Sequence, residues 1–279
     1  VSAARPPDGA RAAARPGEGA AVRLVFITGS SSGLGQALAL RYHQAGWQLA
    51  LVARRGDEIR QWAAAQGWAP DRWAVYPADV RDTAAIAAAG RACIAAQGLP
   101  DVVIASAGIS IGMDTAEFDD LAVMQATLET NTLGLAATFH PFVAAMRQRG
   151  SGRLVGVASV AGVRGLPGHG AYSASKAAAI AYCESLRVEC RASGVRVVTL
   201  CPGYIDTPLT RRNPYRMPFL MAPEAFADRA FAAIRAGDSF RVIPWQMGVL
   251  ARLLRWLPDA VYDRLLARRG RKPRQTPTR

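Results

Sequence analysis

The chain has 279 residues, 51% of them apolar, enough to bury the core of a single α/β domain. Its net charge of +13 comes without a recognition motif or interleaved stacking aromatics, which argues against specific nucleic-acid binding. No apolar run is long enough to span a bilayer and no secretory h-region is visible, so a reducing cytoplasm is the expected location.

Residues 1–20 are almost wholly Ala, Arg, Pro and Gly, a composition that cannot form a core and predicts a disordered tail. The chain begins with Val1 and its first methionine is Met113, so either a non-Met initiation codon or a true start near Val22 is expected. The folded domain is expected over 21–247. Its first run, 22–27, is short, apolar and β-branched, and reads as a buried strand. It leads into Thr28, Gly29, Ser30, Ser31, Ser32, Gly33, Leu34 and Gly35, then into a helical pattern over 36–42. Glycines after a strand let backbone amides approach a pyrophosphate, and the following helix N-terminus adds partial positive charge.

A second strand-like run, 48–53, ends in Arg54 and Arg55. An NAD-binding chain would usually place an acidic residue there for the ribose 2′-hydroxyl. Two guanidiniums, with the Ser31 hydroxyl, suit a 2′-phosphate and predict NADP(H); the other reading is ordinary loop charges in an Arg-rich chain. Further strand-like runs at 73–76, 102–106, 153–159 and 195–201 alternate with helical stretches such as 83–96, 121–146 and 172–192. This alternation predicts a doubly wound parallel sheet with helices on both faces and ligand sites at the carboxyl edge of the strands.

The chemistry points to Tyr172 and Lys176. Four residues apart on a helix, they share a face, and Ser159 lies thirteen residues upstream. An ammonium beside a phenol favours the phenolate, and a Tyr held near neutrality can act as a general acid or base. Moving a Tyr from about 10 to near 7 needs roughly 4 kcal/mol, which one charge at about 4 Å supplies at an effective dielectric of about 20. Of 34 Lys and Arg, only Lys176 and Lys272 are lysines, so a Lys within the Tyr motif suggests chemistry that a planar guanidinium does less well. Taken alone, the pair could equally be a surface contact; its neighbours favour the catalytic reading.

The ordered set of the Thr28 to Gly35 turn, Asp79 and Val80, Ala107 and Gly108, Asn131, Ser159, Tyr172, Lys176, and Pro202 and Gly203 resembles the short-chain dehydrogenase/reductase family, in its short, non-extended branch. The resemblance spans roughly 22–210 and implies a Rossmann-like fold. One departure is visible: the usual Asn-Asn-Ala-Gly element is Ala105, Ser106, Ala107 and Gly108 here, so the network joining this strand to its neighbours is expected to differ. The resemblance implies that Gly29, Ser31, Ser32, Gly33, Leu34 and Gly35 cradle the cofactor, with Asp79 and Val80 on adenine and Ala107 and Gly108 near ribose. Lys176 would bind the nicotinamide ribose and lower the Tyr172 pKa, while Pro202, Gly203, Ile205 and Thr207 flank the nicotinamide. Ser159 would bind the substrate oxygen, Tyr172 would transfer the proton, and Asn131 would hold a water linking Lys176 to solvent. Asp79 and Thr207 have an alternative role as helix caps.

A lid is expected around 204–223. Its Met217, Phe219, Leu220 and Met221, with Ile109, Ile111, Met113 and Leu166, suggest an apolar pocket for a lipophilic ketone or secondary alcohol. A 3-oxoacyl thioester is the alternative substrate class, and a catalytically silent cofactor sensor the alternative function. A homodimer or homotetramer is the expected assembly. The extension 248–279 contains leucines at helical spacing and, from Arg252 onward, nine basic against two acidic residues. It is expected to pack over the substrate mouth or a partner subunit with a solvated basic tail; the other reading is an amphipathic segment on an anionic membrane surface. Cys93, Cys183, Cys190 and Cys201 lack metal-ligand spacing, the three histidines form no cluster, and no metal is expected. His169, in a Gly-rich loop near Tyr172, reads as loop surface or as lining the site.

Overall fold

The computed structural model describes residues 22–267 and 270–274. The expected tail, 1–20, lies outside the described residues. Seven parallel strands form one sheet in the order β3-β2-β1-β4-β5-β6-β7. They are β1 Leu24–Thr28, β2 Gln48–Val52, β3 Trp73–Val75, β4 Val102–Ala105, β5 Gly152–Val157, β6 Val195–Pro202 and β7 Phe240–Ile243. The helices are α1 Gly33–Gln44, α2 Gly56–Ala65, α3 Thr83–Gln97, α4 Asp120–Leu128, α5 Gly134–Arg149, α6 Gly170–Glu189, α7 Pro223–Ala236, α8 Trp245–Trp256 and α9 Asp259–Leu266. The result is the doubly wound, Rossmann-like architecture that the alternation predicts.

Side-chain alternation along a strand explains the two cores. Val25, Ile27, Leu49 and Leu51 face one side, packing with Leu38 and Tyr42 of α1 and Phe226 and Phe231 of α7. Leu24, Phe26, Ala50 and Val52 face the other, packing with Ile86 of α3 and Phe139 and Phe142 of α5. Phe142 is completely buried and tilts against Phe26 with ring centroids 4.8 Å apart. Truncating such a residue to Ala costs about 3–5 kcal/mol.

Three features depart from the sequence pattern. Strand β7 escapes it because Phe240 and Arg241 are exposed and the element has only four residues. The stretch 121–146, expected as one helix, is interrupted by a π turn at Glu129–Leu133. Such single-turn insertions are frequent at functional sites, and this one carries Asn131. The third concerns the extension, whose α8 turns Met247 and Ala251 inward, while its tail departs from expectation. Arg164 locks the joint between α8 and α9, donating to the carbonyls of Leu254 and Leu257, pairing with Asp259 at 2.7 Å, and stacking 3.7 Å from the Tyr262 ring centroid. The expectation of a solvated tail is corrected for 270–274, which dock on the domain through a bridge between Arg274 and Gly112. Among the described residues no helix is long and apolar enough to cross a membrane.

Candidate active site

The chain winds from β1 outward to β3, then crosses back to β4 on the other side of β1. Loops leaving the carboxyl ends of β1 and β4 diverge there, opening the crevice that this topology creates. A cleft of about 360 Å³ occupies it, lined by the turn after β1, the ends of β2, β4, β5 and β6, and the first turns of α6.

The turn 29–35 is built for close approach. Gly29 has φ +73°, and a Cβ on it would stand 2.8 Å from the Ala107 Cα. A Cβ on Gly35 would stand 2.2 Å from the Gly29 carbonyl oxygen. Backbone alone fits here, which leaves the amides at the α1 N-terminus open to the cleft. Thr28 ties this turn to β4: its hydroxyl accepts from the Ser106 and Ala107 amides at 3.2 and 3.4 Å and donates to the Ile104 carbonyl at 3.5 Å. The changed element Ala105–Gly108 is thus held through its backbone, and the Ser106 hydroxyl is buried with no partner among the described residues.

At the outer end, Arg54 and Arg55 line the cleft beside Ser31, whose hydroxyl lies 3.5 Å from the Arg55 guanidinium. Arg81, which the sequence reading did not single out, joins them. It holds the Asp79 carboxylate at 2.9 Å and pulls its pKa below the usual carboxylate range. Arg54 is 3.9 Å from the same carboxylate. Asp79 does not cap α3; Asp82 does, accepting from the Ala85 amide at 2.9 Å. Its spacing two residues before Arg81 was the available signal for the third cation.

At the inner end, Ser159 follows β5 and accepts from the Ala161 amide at 3.1 Å. Tyr172 and Lys176 project from α6 into the same space. The Lys176 ammonium is buried, donates to the Val157 carbonyl at 2.8 Å, and lies 5.8 Å from the Tyr172 ring centroid. Burial pushes its pKa down to about 8. Burial also raises the Tyr172 pKa, with the Ser159 hydroxyl pulling the other way. The expected lowering of the phenol by Lys176 is therefore corrected: the ammonium is turned to a carbonyl, and desolvation of the phenolate dominates.

Asn131 lies behind the cleft wall as a clamp. Its Oδ1 accepts from the Ile109 amide at 2.8 Å, and its Nδ2 donates to the Ile109 carbonyl at 2.9 Å and the Ser175 hydroxyl at 2.9 Å. Ser175 sits next to Lys176, so the π turn fixes α6 and the loop after β4 relative to each other. A Cβ on Gly108 would stand 3.2 Å from Asn131 Oδ1 and 3.5 Å from Lys176 Nζ. These atoms face each other across one glycine.

The other expected cofactor residues, Ser32, Gly33, Leu34, Val80, Ala107, Gly108, Pro202, Gly203, Ile205 and Thr207, all line the cleft, as does Ile109. Thr207 lies over Gly33, and it caps no regular helix. The remaining substrate-side residues are scattered. Ile111 packs with Met113, Val123 and Ala171. Leu166 lines a separate apolar chamber of about 60 Å³ with Met247, Leu250 and Leu254. Met217 is half-buried and Phe219 is 52% exposed, and neither lines the cleft or this chamber. His169 is not loop surface: it is buried, and its Nε2 lies 2.9 Å from the Tyr215 hydroxyl of the lid. The four cysteines are buried thiols.

Comparison with known proteins agrees with this geometry. The short chain dehydrogenase family profile matches residues 23–216. An uncharacterized oxidoreductase of Myxococcus xanthus is 38% identical over 246 residues, covering 86% of this chain and 95% of its own length. An acetoacetyl-CoA reductase of Shinella zoogloeoides is 33% identical over 200 residues, covering 70% of this chain and 79% of that one. The crystal structure of levodione reductase superimposes with a TM-score of 0.71 at 27% identity, covering 79% of this chain and 95% of the other.

Proposed function

Since the chain belongs to the short-chain dehydrogenase family and is an oxidoreductase acting between C=O and CH–OH, we propose that it is NADP(H)-dependent and reduces a carbonyl of a lipophilic small molecule, with Tyr172 as the proton donor. The observation that carries the reading is one cleft with Ser159, Tyr172 and Lys176 at its inner end and Arg54, Arg55 and Arg81 at its outer end.

The residues fit a dinucleotide: the Gly29 and Gly35 approaches leave room for pyrophosphate against the α1 N-terminus, which favours anions. Arg55 and Ser31, 3.5 Å apart, would share a 2′-phosphate. When bound, the nicotinamide supplies or accepts the hydride. The Ser159 hydroxyl would donate to the substrate oxygen as negative charge develops there. The Tyr172 phenol, kept protonated by burial, would then deliver its proton to that oxygen. Lys176, fixed beside Gly108, would bind the nicotinamide ribose and recharge the phenol. Asn131 keeps the Ile109 loop and α6 in register for both.

The proton donor needs a protonated phenol, so reduction should be level through neutral pH and fall as Tyr172 ionises in alkali. Oxidation should gain over the same range. The deciding experiment is NADPH oxidation and NADP reduction over ketones, alcohols and 3-oxoacyl thioesters, wild type beside Tyr172→Phe. Turnover lost with the hydroxyl supports the reading; faster turnover with NAD at equal concentration sinks the cofactor preference. Turnover retained by the Phe variant sinks the proton donor.

A further inference from the structure

Lys272 is one of two lysines in the chain; both are buried, Lys176 lining the cleft and Lys272 bonded to Ser110, the residue after the cleft-lining Ile109. The strap 270–274 passes between the loop after β4 and the loop before α6. A Cβ on Gly112 would stand 2.1 Å from the Pro273 carbonyl oxygen, and one on Gly168 would stand 2.8 Å from the Lys272 amide nitrogen and carbonyl oxygen. Both loops belong to the site. The first begins at Gly108 and Ile109, against Asn131; the second ends at His169, three residues before Tyr172.

The strap brings three cations, and they are treated differently. Arg274 forks onto the buried Asp120 at 2.7 and 3.1 Å, with Glu117 at 3.5 Å. Arg271 pairs with Asp114 at 3.0 Å. Lys272 lies between them, 5% exposed, and no carboxylate reaches it among the described residues. Its Nζ donates to the Ser110 hydroxyl at 2.7 Å. Burial and the like charge of Arg212 on the lid push its pKa down to about 8, so the ammonium persists at neutral pH. A desolvated cation without a counter-ion is costly, and an anion brought to it recovers that cost. Among the described residues, two of its three donors have no acceptor.

We propose that Lys272 Nζ, with the Ser110 hydroxyl, forms the subsite that reads an oxyanion on the substrate, so that the carbonyl compound reduced at Tyr172 carries a carboxylate or a phosphate ester. This rests on the reading of the site as a carbonyl reductase. It divides the substrate into a reacting carbonyl at Ser159 and Tyr172 and an anionic group at Lys272. Basic charge elsewhere on the surface would give general attraction; Lys272 would give position.

The test uses oxo acids, phosphorylated ketones and the methyl esters of the same acids as probes. Binding to the NADPH-loaded protein is read from the cofactor fluorescence, and turnover is followed in parallel, for wild type, Lys272→Met, Lys272→Arg and Ser110→Ala. Wild type should bind one of the two anionic series about tenfold or more tighter than the esters, and the series that binds identifies the oxyanion. Lys272→Met should erase that preference while leaving ester binding and cofactor affinity unchanged, and Lys272→Arg should restore part of it. Equal binding of acids and esters by wild type, no binding of either, or an equal loss of both in Lys272→Met overturns the subsite. A Lys272-dependent anion preference without any turnover instead overturns the reductase reading, and turnover without the preference overturns the subsite alone.

Discussion

At the nucleotide end of the cleft the walls are strand ends and bare backbone, and at the substrate end they are loops, a lid and a strap held by side chains. The glycine turn at the nucleotide end is assembled from neighbours in sequence: β1 delivers Thr28, the turn follows, and α1 begins at Gly33. The substrate end is assembled from distant pieces. Ser110 meets Lys272 across 162 positions, and Asp120 meets Arg274 across 154. The first is fixed by sterics that tolerate no atom. The second is fixed by charge pairs that salt and substitution can loosen.

The contrast can be broken most severely at the chemistry they share. Tyr172→Phe is expected to lower kcat by about a thousandfold, within the range for loss of a general acid, with NADPH affinity unchanged in a fluorescence titration. At the nucleotide end, Gly35→Ala forces a methyl within 2.2 Å of the Gly29 carbonyl oxygen. A strained turn should weaken cofactor binding about tenfold or more, by roughly 1–3 kcal/mol, seen as a raised Kd. An unchanged Kd would show that the turn yields more easily than its geometry implies. Replacing both Arg54 and Arg55 with Ala should reduce the ratio of NADP to NAD efficiency about tenfold, the worth of one charge-assisted contact. A constant ratio would remove them from cofactor choice.

At the substrate end, Arg274→Gln leaves Asp120 buried without its guanidinium. The expected result is a KM for substrate raised about fivefold, by roughly 1 kcal/mol, with the cofactor Kd unmoved. A matching rise in both constants would show that the strap supports the whole fold. The smallest effect concerns stability. Lys272 titrates at about 8 in the folded chain against 10.5 for a free lysine. Between those values the unfolded chain binds more protons, so wild-type stability gains with rising pH from this group. Lys272→Met should therefore melt a few degrees above wild type near neutrality, and the gap should close as pH rises through 8 towards 10.5. A gap that widens with pH would mean that the ammonium is not desolvated.

How legible each region was follows from the same difference. Strand runs and the catalytic helix were readable because β1 is buried along its whole length and α6 presents Tyr172 and Lys176 one turn apart. Arg54 and Arg55 were readable because they immediately follow a strand end. The π turn was not, because Asn131 moves into place by one inserted backbone position that leaves the surrounding composition helical. Hydrophobicity alone puts Leu166 and Phe219 with the substrate pocket, and hydrophobicity does not say which way a loop faces. Lys272 had a signal in its rarity, but nothing local tied it to Ser110.

Six of the strands, the glycine turn, and the spacing of Ser159, Tyr172 and Lys176 are written in the order of residues, because each depends on contacts within a few residues or on strand periodicity. The direction of the Tyr172 pKa, the clamp at Asn131, the burial of His169 and the docking of 270–274 come from packing. They depend on how deeply a group is desolvated and on which distant carboxylate or hydroxyl reaches it, and no local stretch of sequence carries either quantity.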